Sequence, residues 1–339
     1  MRPGKLTPAE LADYVFPHRG VLRKDVLVHA AFGQDTSVVE FGDEVAVLST
    51  DPITGAGRHA GWLAVQIASN DVAVSGAVPV GVLITLLLAR SSAAHDAQTL
   101  MEDADRAAQG LGAEILGGHS EVTDGLVRSL VVVTALGRAR RDRFVNSAGA
   151  RPGDAVLLTK SAGLEGTAVL ASDFATALSQ RLPPDALEKA QSLIEHISVV
   201  PEALAAAAVG VSAMHDATEG GVLGALAELA GAAGVAVDVD VGRIPVLPET
   251  RAICDALGID PLGLVSSGAL LIATSNAKAV VRAVRALGVQ VVEIGRVVSG
   301  PSQLREGGVA RPLVPPDRDA LWEAIERTEK WSERSGTSD

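Results

Sequence analysis

Any fold of this chain must accommodate five acidic residues that follow or interrupt apolar stretches. Asp35 lies in Phe32-Gly-Gln-Asp-Thr36, and Asp51 directly follows Val45-Ala-Val-Leu-Ser-Thr50. Asp71 ends Ala68-Ser-Asn-Asp71, Glu121 ends Gly117-Gly-His-Ser-Glu121, and Asp216 stands in His215-Asp-Ala-Thr-Glu-Gly-Gly221. Such positions read as strand-to-turn or strand-to-helix junctions, which hold a side chain near a core. Carboxylates gathered there repel one another unless a cation lies between them. Oxygen-rich sites without cysteine suit Mg²⁺, which takes one or two carboxylates, waters and substrate phosphates. The pattern points to a protein that handles a metal–nucleotide.

A chain of 339 residues exceeds one ordinary core and is expected to form two domains. Aromatics make up 3% of it, so Ala, Val, Leu and Gly must do the packing, which favours helices layered on sheets. The net charge of −12 offers no basic face for nucleic acid. Cys254 is the single cysteine, which rules out an intrachain disulfide and a cysteine-based metal cluster and suits a reducing cytoplasm. The N-terminal residues lack an apolar signal core. Val72 to Ala89 is uncharged and reaches the length of a membrane span, but Gly76 and Pro79 interrupt it, so no membrane is expected.

Period and punctuation give a first half reading β-α-β-α-β-β. Thr7 caps a short helix. Val45–Thr50 is a strand, 58–76 a helix, Val80–Leu88 a strand, and Ser92 caps a helix to about Gly110. Ala113–Leu116 is a short apolar piece and Leu126–Gly137 a long strand. The charged, turn-rich stretch from Arg138 to Asp154 reads as the domain boundary, giving domains at 1–145 and 146–315 and a terminal helix with a frayed tail at 316–339. The second half alternates strands near 154–159, 210–214, 235–241, 268–273 and 289–298 with helices near 185–197, 201–209, 222–232, 248–257, 276–287 and 318–333.

Three glycine-bearing segments carry candidate chemistry. In Leu116-Gly-Gly-His-Ser-Glu121, Gly117 and Gly118 permit close approach of a ligand, Ser120 offers a hydroxyl and Glu121 a carboxylate. A plain Gly-Gly turn fits the same residues. In the Asp216 segment, Thr218 is placed to cap the following helix, and Gly220 and Gly221 would leave N–H groups free for phosphate at its positive end. An ordinary capped loop is the alternative. Lys160-Ser-Ala-Gly-Leu-Glu-Gly-Thr167 matches neither the P-loop nor the dinucleotide pattern. The pair Asn70-Asp71 is costly inside its apolar helix unless partnered, which favours a site role. Cys254 sits in a helical pattern and reads as packed.

Taken in order, Ser49-Thr-Asp-Pro52, Gly61-Trp-Leu-Ala-Val-Gln-Ile-Ala-Ser-Asn-Asp71, Gly76-Ala-Val-Pro79, Gly117-Gly-His-Ser-Glu121 and His215-Asp-Ala-Thr-Glu-Gly-Gly221 resemble the AIR synthase superfamily, and within it the HypE-like AIR synthase-related proteins. The resemblance spans roughly residues 5–300 and is specific because five motifs occur in register. It implies a two-domain α/β (α+β) fold whose N-terminal domain forms a barrel with that of a second subunit, as a homodimer. It implies ATP and Mg²⁺ as cofactors. Asp35, Asp51, Asp71 and Glu121 would bind metal. Asp51, Asn70, Gly117, Gly118, Ser120, Thr218, Gly220 and Gly221 would bind the nucleotide, and Asp71, Asp216 and Lys160 would act in catalysis.

Two departures qualify the likeness. HypE works through a C-terminal cysteine, whereas this sequence ends Ser335-Gly-Thr-Ser-Asp339, so that chemistry is not expected in cis. Gln34 replaces an acidic residue common in relatives, which removes one potential metal ligand. The expectation is an ATP-dependent phosphotransferase or ligase-type enzyme acting on a small-molecule or carbamoyl-type oxygen. The competing expectation is a nucleotide-binding scaffold that works with a hydrogenase-maturation partner and turns over little.

Overall fold

The computed structural model describes residues 4–335. The chain opens with the single helical turn α1 (Pro8–Glu10), where Thr7 and Glu10 cap each other reciprocally. The first sheet holds β1 (Val26–Val28), β2 (Ser37–Phe41), β3 (Glu44–Ile53), β4 (Val78–Ala89), β5 (Glu114–Thr123) and β6 (Leu130–Arg140), with α2 (Ala60–Val74) and α3 (Ala94–Leu111) between its strands. Its order is β1-β2-β3-β6-β4-β5, antiparallel except for the parallel β4–β5 pair that puts β5 at the edge.

The second half alternates β7 (Ala155–Thr159), α4 (Leu164–Asp173), α5 (Ala175–Ser179), α6 (Pro184–Ser192), α7 (Val200–Val209), β8 (Ala213–Asp216), α8 (Gly221–Ala233), β9 (Ala236–Asp240), α9 (Pro248–Leu257), β10 (Leu270–Thr274), α10 (Ala277–Arg285) and β11 (Val291–Val298). It ends in the hairpin β12 (Gln303–Glu306) and β13 (Val309–Pro312), then α11 (Ala320–Ser335). Its sheet runs β13-β12-β9-β11-β7-β10-β8. Every residue of β7, β8 and β10 is buried; β7 and β10 read accordingly as almost wholly apolar runs ending in Thr, whereas β8 buries the polar pair His215 and Asp216. The molecule is thus the expected mixed α/β, two-domain architecture.

Helix α2 joins the halves. All of its residues but Trp62 are buried, so it has no solvent face. It packs against β3, β4 and β6 of the first sheet, against α3, and against α7 and β8 of the second half. Gly61 permits the α3 crossing, since a Cβ there would lie 2.0 Å from the Leu100 carbonyl. Full burial of a side chain such as Leu63 contributes about 1.5–3 kcal/mol. Asn70 is the partnered polar group that this helix requires. Its amide donates to the Ile197 carbonyl (2.9 Å) and its Oδ1 accepts from the Val199 amide (2.8 Å), stapling α2 to the loop before α7.

Several local expectations are corrected. The first sheet continues through Arg140, into the segment read as boundary, because β6 pairs with β3 as far as Glu44. β3 likewise runs past Asp51 to Ile53; Pro52 lacks an N–H yet keeps its place in the pairing, opposite Val132. β5 is a full strand and not a four-residue piece, and β8 extends through His215 and Asp216. Ser92 does not cap α3. Ala93 occupies the cap, with its amide donating to Asp96, while the Ser92 hydroxyl bonds that of Ser129. The hairpins β1–β2 and β12–β13 were not foreseen. The expected terminal fraying falls mainly on residues 336–339, outside those described. No single described helix is long and apolar enough to cross a membrane, and Val72–Ala89 is shared between α2 and β4.

Candidate carboxylate-lined cleft

Strand β3 alternates so that Val45, Val47, Ser49, Asp51 and Ile53 share one face, and that face meets α2. Asp71, on α2, therefore confronts Ser49 and Asp51. The Ser49 hydroxyl lies 2.6 Å from Asp71 Oδ2 and 3.2 Å from Asp51 Oδ2. Asp216 reaches the same place from the end of β8. Asp51 and Asp71 line a cleft of about 560 Å³, which Asp35, Thr218, Glu165, Ser267, Glu219 and Asp319 help complete, while buried Asp216 interacts with Asp71 without lining the cleft itself.

The electrostatics mark this cluster as unfinished. Asp216 is 1% exposed, and no donor among the described residues reaches either of its carboxylate oxygens. Its nearest companion is the carboxyl of Asp71, which can bond it only while carrying a proton. Burial, followed by the charge of Asp35, pushes Asp216 up to about 7. Burial, then the charges of Asp51, Asp216 and Asp35, holds Asp71 well above the usual carboxylate range. Elsewhere in the cleft lining, burial raises Glu165 to about 7 and Asp319 to about 6.

Asp35 has a second role. Its Oδ2 lies 2.5 Å from His215 Nδ1, and His215 Nε2 lies 2.9 Å from Glu228 Oε2. Burial would lower the imidazole pKa, but Asp35 and Glu228 outweigh it, so the ring is held as the cation between them. Gly33 makes the approach possible: its φ is +72°, and a Cβ there would lie 2.7 Å from the Glu228 carbonyl.

Asp35, Asp51, Asp71, Asp216 and Thr218 are therefore brought together. Other expected site residues are not. Gly117, Gly118, Ser120 and Glu121 lie exposed on edge strand β5, where Glu121 accepts from Thr123 and contacts His119. Lys160 does not line the cleft. It pairs with buried Glu202 at 2.7 Å and donates to the Ser198 carbonyl. Asn70 is spent on its loop staple. Gly220 and Gly221 do not offer free N–H groups either, because Asp319 accepts from Gly220 and the Thr218 carbonyl from Gly221. Thr218 does not cap α8, whose cap is Gly220 in the left-handed region. Sequence reasoning missed Lys5, Glu165, Glu219, Ser267 and Asp319. Only Glu165 and Glu219 stood inside segments already singled out.

Among the described residues, no three or more His, Cys, Asp or Glu side chains already close on one point as metal ligands. The donor chemistry nevertheless fits a hard cation. The donors are all carboxylate oxygens, Asp216 lacks a partner, and Mg²⁺ needs only one or two protein carboxylates beside water and phosphate.

Comparison with known proteins adds the following. Residues 33–139 match the family model of AIR synthase related protein, N-terminal domain, and residues 151–305 match that of its C-terminal domain. The chain is 31% identical over 278 residues to carbamoyl dehydratase HypE of Rhizobium leguminosarum bv. viciae, covering 79% of this chain and 77% of that one. It resembles the crystal structure of Escherichia coli HypE, a hydrogenase maturation protein, with a TM-score of 0.71 and 25% identity over 82% of this chain and 88% of the other. A hydrogenase maturation protein HypE in complex with ATP shares the fold at a TM-score of 0.66 and 22% identity, over 94% and 97% of the two chains.

Proposed function

The chain belongs to the AIR synthase-related family, and from that premise we propose that it binds ATP with Mg²⁺ in the carboxylate-lined cleft and transfers the terminal phosphoryl group to a small-molecule or carbamoyl-type oxygen. The observation that carries this reading is the buried pair Asp71 and Asp216, both driven toward their protonated forms, with no donor among the described residues reaching Asp216 apart from a protonated Asp71. A site that costs this much in the free protein calls for a cation when it works. Asp71 and Asp216, with Asp51 and Asp35 beside them, would hold Mg²⁺, which when bound offsets the charge of the phosphates.

In the transfer the acceptor oxygen bonds to the terminal phosphorus. The bond from that phosphorus to its bridging oxygen breaks, and ADP leaves with the electron pair. Glu165, in the cleft wall and raised to about 7, is matched to take the acceptor's proton near neutral pH. Activating a carbamoyl oxygen in this way is the first half of a dehydration, the reaction in the name of the R. leguminosarum relative.

We further propose a homodimer through β5. That strand is a sheet edge, and Leu116 and Val122 on it, with Val78, Val80 and Leu83 on neighbouring β4, are exposed apolar residues. Gly117, Gly118, Ser120 and Glu121 would then meet a cleft only through the assembled pair. The test of function is ADP release from ATP and Mg²⁺ with water, carbamoyl phosphate or phosphorylated metabolites as acceptors. Asp71→Asn should lower the rate on the order of a hundredfold. ATP binding with no release from the unaltered protein would favour a scaffold that serves a maturation partner.

A further inference from the structure

We infer that Lys5 is the group that meets the terminal phosphate of the bound nucleotide. The inference rests on the nucleotide reading above and assigns within that site a contact made by the N-terminal segment. Among the described residues lining the cleft, Lys5 alone has a cationic side chain, against six carboxylates: Asp35, Asp51, Asp71, Glu165, Glu219 and Asp319. A triphosphate entering this space needs protein positive charge, and among the described lining residues only this one supplies it.

The segment is placed for the task. The Lys5 backbone amide donates to Glu219 Oε1 at 3.2 Å, and the Trp322 indole donates to the same oxygen at 3.1 Å. Gly4 lies so close to Glu219 and Trp322 that a Cβ there would meet Glu219 Oε1 at 2.9 Å. Beyond Lys5, the Thr7–Glu10 capping box fixes the chain again. The backbone is thus held at both sides, while the ammonium group is not locked. Its contacts are long, 3.3 Å to Thr218 Oγ1 and 3.9 Å to Glu228, and the side chain is 53% exposed. Lys160, by contrast, is clamped at 2.7 Å by Glu202 and does not line the cleft.

Lys5 also stands where the cleft meets a second cavity of about 540 Å³, sharing Asp35, Gln34, Glu219 and Asp319 as common walls. That cavity is bounded by Leu6, Pro8, Leu11, Phe16 and Phe32. A phosphate held at this junction is open to an acceptor arriving from the far side. Partial desolvation of the half-exposed Lys5 ammonium opposes its charge, but the carboxylates of Glu228, Asp35, Glu219 and Asp51 outweigh it and keep Lys5 charged.

The test compares binding of ADP and of a non-hydrolysable ATP analogue, each with Mg²⁺, by calorimetry on the full chain. A charge-assisted contact to the terminal phosphate should make the analogue bind about tenfold tighter than ADP. Lys5→Met should bring the two affinities within about twofold while leaving ADP binding and the melting temperature unchanged, and Lys5→Arg should keep most of the preference. A preference that survives in Lys5→Met overturns the inference. So does a loss of ADP affinity in Lys5→Met that Lys5→Arg does not repair, because Lys5 would then only hold the segment in place. Failure of the unaltered protein to bind either nucleotide would instead overturn the nucleotide reading itself.

Discussion

Asp216→Asn should make the free protein more stable while disabling it. The carboxyl titrates at about 7 in the folded chain against an ordinary value of 3.8. Between those values the folded state holds a proton that the unfolded state has released, so stability falls as pH rises through this window and levels off above it. At pH 8 a shift of this size corresponds to roughly 4 kcal/mol. Asp71 titrates together with Asp216, so the cost belongs to the pair, and ~2 kcal/mol is the gain expected from Asp216→Asn alone. An asparagine has no charge to desolvate, and its amide donates to the neighbouring carboxylates. For a chain of 339 residues ~2 kcal/mol raises the melting temperature by about 3 °C. His215 adds a wild-type slope of the same sign, since its raised pKa stabilises at low pH, so the comparison must be variant against wild type. Scanning calorimetry at pH 5 and pH 8 without divalent metal should show a gain for Asp216→Asn at pH 8 that falls to less than half at pH 5 and vanishes only below the ordinary carboxyl value. Destabilisation at pH 8, or a gain independent of pH, would refute the claim that Asp216 is a buried charge without a partner.

Lys160→Met should cost about 3–5 kcal/mol by stranding Glu202, which is 1% exposed, yet leave nucleotide affinity within twofold; denaturant unfolding and calorimetry check the two halves. Sedimentation should give twice the chain mass for the unaltered protein at micromolar concentration and a single-chain mass for Val122→Asp, since that side chain is 65% exposed on the edge strand. A wild-type monomer would remove the proposed dimer.

The convergence of Asp35, Asp51, Asp71 and Asp216 was legible because each one interrupts an apolar run, and apolar runs are what the fold brings together. Asp51 shows how the alternation of a strand settles direction: it shares its face with Val45, Val47 and Ser49, and that face packs on α2. Glu121 carries an equally suggestive pattern, but local sequence does not say which strand pairs with which. The parallel β4–β5 pairing puts it at an edge. Gly220 and Gly221 read as free donors because Asp319, the residue that accepts from Gly220, lies 99 positions away. Lys5 was invisible for the same reason: its contacts are with Thr218, Glu219 and Glu228, more than 210 positions away. Short-range patterns reveal what a residue requires, and only the tertiary arrangement shows which partner satisfies it.

The central claim is that the buried aspartates form a site for a cation and a triphosphate, and calorimetric titration of ATP with and without Mg²⁺ tests it most directly. The account predicts saturable one-site binding that requires the metal, is lost in Asp71→Asn, and stabilises the protein by about 2.7 kcal/mol at a hundredfold excess over the dissociation constant. Binding of equal strength without metal, or binding that Asp71→Asn leaves intact, would contradict it.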